Sequence, residues 1–148
     1  MGNLSSMLLF GKKLLVSATN GKLHLLKVDG RSGQFSLLQT FDLESILKSL
    51  ETKLKGNYVL FHPKLIQSSD SVTSICCLLN KIGEGRKKGN SLAILRLTGN
   101  SNDLDMVILS EDETVEHFEV LELGENNFAI VAVEENGTVW VSPYSVSN

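Results

Sequence analysis

Short runs of apolar and β-branched residues, separated by turn residues, make up most of this chain. The clearest runs are residues 13–18, 22–28, 35–41, 58–62, 71–79, 91–97, 106–109, 118–123, 127–133 and 138–142. Turns that recur every eight to twelve residues are typical of an antiparallel sandwich, barrel or propeller. We therefore predict a mainly β protein of about eleven strands, in which Pro63 ends the strand that begins at Tyr58.

One segment has the periodicity of a helix rather than that of a strand. Between residues 43 and 55, apolar side chains recur at steps of three and four and form one stripe: Leu43, Ile46, Leu47, Leu50 and Leu54. Asp42 can cap the first amides, and Gly56 can take the left-handed closing conformation. The sequence predicts an inserted amphipathic helix whose Leu47 and Leu50 either pack on the sheet or dock a partner.

Two distant segments follow the same pattern. Residues 14–25 and 130–141 both read as an apolar strand, a polar pair, Asn-Gly and an alternating strand. Asn-Gly between two such runs predicts a hairpin with a type I′ turn, because both residues tolerate positive φ. Residues 71–97 hold a similar pair of strands with a longer loop, so three related hairpins recur at an average step of 58 residues.

The stretch from Leu15 to Leu26 resembles the second and third blade strands of a WD-repeat β-propeller. A second, weaker match covers residues 135–141, and Arg31-Ser32-Gly33 stands where the family turns into its fourth strand. The chain departs from the family because no Gly-His pair opens a blade and no Trp-Asp pair ends one. The step of 58 also exceeds the family's usual roughly 40–45 residues, an excess that the helix and a long loop would supply.

This resemblance implies antiparallel meanders like partial propeller blades, joined in a single β domain over residues 1–148. The blade-like units are residues 7–41, 57–110 and 116–143, which makes two to three blades. Propellers typically close with about four to eight blades. We therefore expect exposed sheet edges that a partner covers, because unpaired strand edges invite association.

The net charge of −3 conceals a division between the two parts of the chain. Before residue 100 there are fourteen basic and six acidic residues, a balance of +8; after it there are eleven acidic residues and none basic, a balance of −11. Either the two parts attract each other within the fold, or the division serves a charged partner or nucleic acid.

A basic loop over residues 81–89 carries Arg86, Lys87 and Lys88. It lacks the Gly-x-x-x-x-Gly-Lys-Ser/Thr spacing of a phosphate-binding loop. It is either a solvated hairpin loop or a contact for an RNA backbone or an acidic protein.

The acidic run that begins at Glu111, Asp112 and Glu113 has two interpretations of its own. It forms either a solvated edge strand or an acidic surface for a basic partner. We expect these carboxylates to be exposed, so nothing would raise a pKa as a general acid requires.

Other chemistry is not indicated by the sequence. The three histidines are far apart, so we expect no metal site, no catalytic residue and no small-molecule cofactor. Adjacent Cys76 and Cys77 predict buried free thiols and a reducing compartment. Residues 1–11 form an uncharged run that is too short to span a bilayer, so we expect no membrane contact.

These observations favour a non-catalytic scaffold subunit that binds other protein subunits in a larger intracellular assembly, in the cytoplasm or the nucleus. One alternative is a nucleic-acid-binding module that uses the basic loop to bind RNA. A third possibility is a small β-barrel that holds an apolar ligand.

Overall fold

The computed structural model describes residues 2–82, 89–98 and 103–146. The strands are β1 (Leu4–Phe10), β2 (Lys13–Ala18), β3 (Lys22–Val28), β4 (Phe35–Asp42), β5 (Tyr58–Ser68), β6 (Val72–Lys81), β7 (Asn90–Thr98), β8 (Leu104–Gly124), β9 (Asn127–Glu134) and β10 (Val139–Ser145), with one helix, α1 (Leu43–Ser49). Every strand pairs antiparallel with its neighbour in sequence within one of two sheets, β1–β4 and β5–β10. The prediction of a mainly β protein with one helix is confirmed.

The strand β8 divides the second sheet into two parts. Residues 104–110 of β8 pair with β7 and residues 117–124 pair with β9, while Val115 pairs on both sides. Between these parts, Glu113 has a φ of +57°. The two strands predicted at 106–109 and 118–123 are therefore parts of one strand, joined where Val115 pairs with both β7 and β9. We call β1–β4 layer 1, β5–β7 with residues 104–110 layer 2, and residues 115–124 with β9 and β10 layer 3.

The three layers are held together by two hydrophobic cores. One face of layer 2, including Cys77 and Leu95, packs with α1 and the inner face of layer 1. Its opposite face, including Cys76 and Ile94, packs against layer 3. Neighbouring side chains on a strand point to opposite faces. A sheet whose two faces are both covered by other layers therefore needs continuous apolar runs. This explains the unbroken apolar character of β6 and β7.

The hairpin turns at Asn20 and Asn136 share one geometry, which is not the predicted type I′ turn. The Gly21 amide donates to the Ala18 carbonyl at 3.0 Å, and the Gly137 amide donates to the Glu134 carbonyl at 2.9 Å. Asn20 and Asn136 each accept a bond from the amide two residues later through Oδ1. In both turns the glycine has a positive φ and the asparagine does not, as in a three-residue hairpin loop that ends in a left-handed residue.

Pro63 does not end β5, contrary to the prediction. The pairing with β6 is irregular between Phe61 and Lys64, and His62 has a φ of +49°. Proline has no amide hydrogen to donate, and a bulge on an edge strand removes the need for one. The strand therefore continues beyond the bulge to Ser68.

The helix is shorter than the predicted range 43–55. It ends at Ser49, because Leu50 adopts an extended conformation, and the Asp42 side chain makes no capping bond to the backbone. Instead, the Asp42 carboxylate accepts a bond from Ser45 Oγ at 3.1 Å. Leu54 is still buried in the first core from outside the helix, so the apolar stripe indicated burial correctly but overestimated helix length.

Candidate protein-interaction surfaces

The outer face of layer 1 is apolar and faces away from both cores. Strand register places four leucines side by side in a row that crosses all four strands: Leu9, Leu14, Leu26 and Leu37. Leu9 is 62% exposed and Leu37 is 60% exposed. We call this surface the N-terminal outer face; its apolar residues are Met7, Leu9, Leu14, Val16, Leu26, Val28, Phe35 and Leu37, and His24 and Thr40 lie beside Val16 on it.

The outer face of layer 3 has the same character. Val139 pairs with Val133, and Val141 pairs with Val131, on the side of the sheet opposite the second core. Val139 and Val141 are each 59% exposed. We call this surface the C-terminal outer face; its apolar residues are Leu121, Val131, Val133, Val139, Val141 and Pro143, and His117 and Glu119 pair with Val133 and Val131 at its β8 side.

These two faces lie at the opposite ends of the three-layer stack. Inside the stack, each apolar sheet face is covered by another layer, whereas the two end faces are open. Contiguous exposed apolar surface is uncommon on monomeric proteins and marks interaction sites. In the described sheets, the end strands β1, β4, β5 and β10 each have one edge without a hydrogen-bonded strand neighbour.

The charge division of the sequence follows the same axis. Layer 1, over residues 4–42, carries five basic and two acidic residues, whereas residues 116–145 carry six acidic residues and none basic. Among the described residues, one ion pair joins the basic and acidic parts of the chain: Lys64 Nζ lies 2.8 Å from Glu119 Oε1 and donates to the Phe118 carbonyl at 2.9 Å. The charged residues of layer 1 and those of residues 116–145 therefore give the two ends of the stack opposite net charges.

The predicted acidic residues lie at the bend of β8 and are not uniformly exposed. Glu111 and Glu113 are half-buried and Asp112 is exposed. The buried Tyr58 hydroxyl donates to Glu113 Oε1 at 2.6 Å. Burial, followed by this bond to a carboxylate, raises the pKa of Tyr58 well above its usual value. Glu113 therefore stabilises the bend, which the sequence did not predict.

The other predicted interaction residues have different positions. Leu47 is buried in the first core, and Leu50 packs against that core half-buried, so the helix lies on the sheet with its stripe inward. A groove of about 960 Å³ runs beside Leu50, Lys53 and Glu111. Arg86, Lys87 and Lys88 lie outside the described residues, so the loop that would bind RNA remains a prediction from sequence alone.

No metal-binding cluster is found in the part of the chain that the structure describes. No three His, Cys, Asp or Glu side chains come close enough there to hold a metal ion. Over the same residues, no helix has the length and apolar character needed to cross a bilayer. In the described residues the strand order of each sheet is linear, β1-β2-β3-β4 in one and β10-β9-β8-β7-β6-β5 in the other.

The two outer faces were missed at the level of sequence, although a signal was present. Leu14, Leu15 and Val16 are consecutive, as are Leu25 and Leu26, so β2 and β3 are apolar on both faces. A sheet with one solvated face shows apolar and polar residues in alternation instead.

Comparison of the chain with models of protein families, with curated proteins and with solved structures finds no match.

Proposed function

We propose that this chain is a non-catalytic interaction subunit of a larger protein assembly, and that it binds through sheet faces rather than through a cleft. The observation that carries the proposal is the row of Leu9, Leu14, Leu26 and Leu37 across layer 1. Fully burying one leucine side chain contributes about 1.5–3 kcal/mol, so covering this row would strongly favour association. The open C-terminal outer face supplies a second surface of the same kind.

The layer arrangement supports the propeller-like interpretation. Stacked antiparallel meanders whose faces bury each other are the packing of propeller blades. Residues 7–41 lie within layer 1, and the change of pairing in β8 falls between units 57–110 and 116–143. We propose that the chain is a single domain of three blade-like units, and that the end units present faces that another sheet would cover.

The cysteine environment supports a location inside the cell, in the cytoplasm or the nucleus. Cys76 and Cys77 are both free and buried, and they enter different cores. Burial raises the pKa of Cys76 to about 12, so this thiol stays protonated and unreactive. Free thiols without a disulfide framework are typical of proteins in reducing compartments.

Site-specific photocrosslinking in the native cell tests the proposal. A photoreactive amino acid is placed at Leu9 or at Val141, one position on each outer face. The control position is Val107, which is 44% exposed but lies on layer 2, outside both faces. We expect crosslinked species from positions 9 and 141 and none from position 107. Equal crosslinking at all three positions, or none at any, would contradict the proposal.

A further inference from the structure

We propose that the partner on these faces is a second copy of this chain, bound head to tail, with the N-terminal outer face of one copy on the C-terminal outer face of the other. This inference rests on the proposed function and names its partner. The contact would repeat the sheet-on-sheet packing that already joins the three layers, in which sheets lie about 10 Å apart. Each copy would contribute one apolar sheet face to the new core.

Charge selects the head-to-tail pairing over the two symmetric pairings. Layer 1 has a balance of +3 over residues 4–42, and residues 116–145 have a balance of −6. Two N-terminal faces or two C-terminal faces would bring like charges together around an apolar contact, which is unfavourable. A head-to-tail contact brings opposite charges together instead.

The number of layers indicates how many copies associate. One head-to-tail contact leaves an N-terminal face on one copy and a C-terminal face on the other still open. Head-to-tail contacts form rings when the rotation closes. Two copies of three layers make six, which lies within the about four to eight blades of closed propellers. A ring of two copies would cover all four outer faces.

Two face variants and their mixture test this proposal by complementation. The N-face variant carries Leu9→Ser with Leu37→Ser, and the C-face variant carries Val139→Ser with Val141→Ser. Val107→Ser on layer 2 is the matched control. The mass of each protein is measured by sedimentation velocity over a range of concentrations, and circular dichroism confirms that each variant is folded.

The expected results distinguish the head-to-tail contact from the alternatives. The wild type and Val107→Ser form a species of twice the 16.2 kDa chain mass, and each face variant alone is a monomer. Mixing the two variants restores a weaker one-to-one dimer, because one variant keeps its C-terminal face and the other keeps its N-terminal face. Added salt weakens this dimer by screening the opposite charges.

Other outcomes would overturn the inference. A C-face variant that still dimerises alone would show that two N-terminal faces pair, and a monomeric mixture would exclude the head-to-tail contact. If the wild type is monomeric while positions 9 and 141 crosslink to a different protein, the second copy is excluded and the interaction function stands. A monomer without crosslinks at those positions would exclude both.

Discussion

The bond between Tyr58 and Glu113 fixes the bend of β8 to the start of β5, and removing it offers a test of the fold. In Tyr58→Phe the ring still fills its site, where the residue is only 2% exposed, but the 2.6 Å bond to the carboxylate is lost. Bonds to charged groups contribute roughly 1.5–3 kcal/mol. Glu113 has further interactions, so we expect the lower part of this range, about 1.5–2 kcal/mol.

The assay is denaturant and thermal unfolding of the wild type and Tyr58→Phe at neutral pH. For a chain of this size, 1 kcal/mol corresponds to about 2–4 °C in Tm. Tyr144→Phe is the matched control, because Tyr144 makes a longer bond, at 3.3 Å, to the neutral Ser74 hydroxyl. The control should lose less than about 1 kcal/mol. A double-mutant cycle with Glu113→Gln measures the coupling directly.

The same substitution should change the response to alkaline pH. The pKa of Tyr58 is raised in the folded state. The contribution of Tyr58 to stability is therefore fully present below its pKa in the unfolded chain, near 10, and is lost as the pH rises through its pKa in the folded chain. Between these two pKa values, a group whose pKa is raised on folding lowers the free energy of unfolding by about 1.4 kcal/mol per pH unit. Cys76 and Cys77 add to the alkaline loss in both proteins, so the difference between the two curves isolates Tyr58. Parallel curves, or a loss at pH 7 below that of Tyr144→Phe, would refute this account.

Three further substitutions test the packing and the turns. Leu47→Asp places an unpaired charge in the first core and should lower the free energy of unfolding in urea by about 3–5 kcal/mol. The control Ser49→Asp, on the exposed side of the helix, should lower it by less than about 1 kcal/mol. Equal losses would mean that the apolar stripe is not buried. Leu95→Ala should cost about 2–5 kcal/mol by leaving a cavity, and a loss below about 1 kcal/mol would contradict the close packing of layer 2. Gly137→Ala should lower the free energy of unfolding by about 1 kcal/mol, because Gly137 has a positive φ. Gly21→Ala should lower it more in the same assay, because the new Cβ would also lie 3.3 Å from the Tyr58 carbonyl oxygen. A larger loss for Gly137→Ala would contradict this contact.

Several features were predictable because they depend on local physics. Runs of β-branched residues and the Asn-Gly pairs located most strands and the two matching turns. The adjacent cysteines were expected to be buried, and each one enters a core. The type I′ assignment failed because Asn20 and Asn136 accept a bond from the amide two residues later through their side chains and do not adopt a positive φ.

Other features depended on what surrounds each segment. The helix stops at Ser49 because Leu50 is extended, and Leu54 reaches the core from outside the helix. Pro63 remains inside a strand because a bulge on the sheet edge removes the need for its missing amide hydrogen. The sequence predicted Glu113 to be one of three exposed acids. Its role in stabilising the bend depends on Tyr58, which reaches its carboxylate from a distant strand.

By itself, the sequence determined that strands form, that turns fall at the Asn-Gly pairs, and that basic and acidic residues are divided along the chain. The tertiary structure decided which apolar faces are covered. Periodicity records how side chains alternate along a strand, but it carries no information on what lies across from them. Leu95 and Leu26 are similar in sequence context, yet one is sealed between two layers and the other belongs to an open face. That difference arises because three layers have only two interfaces between them, so the faces at the two ends are left exposed.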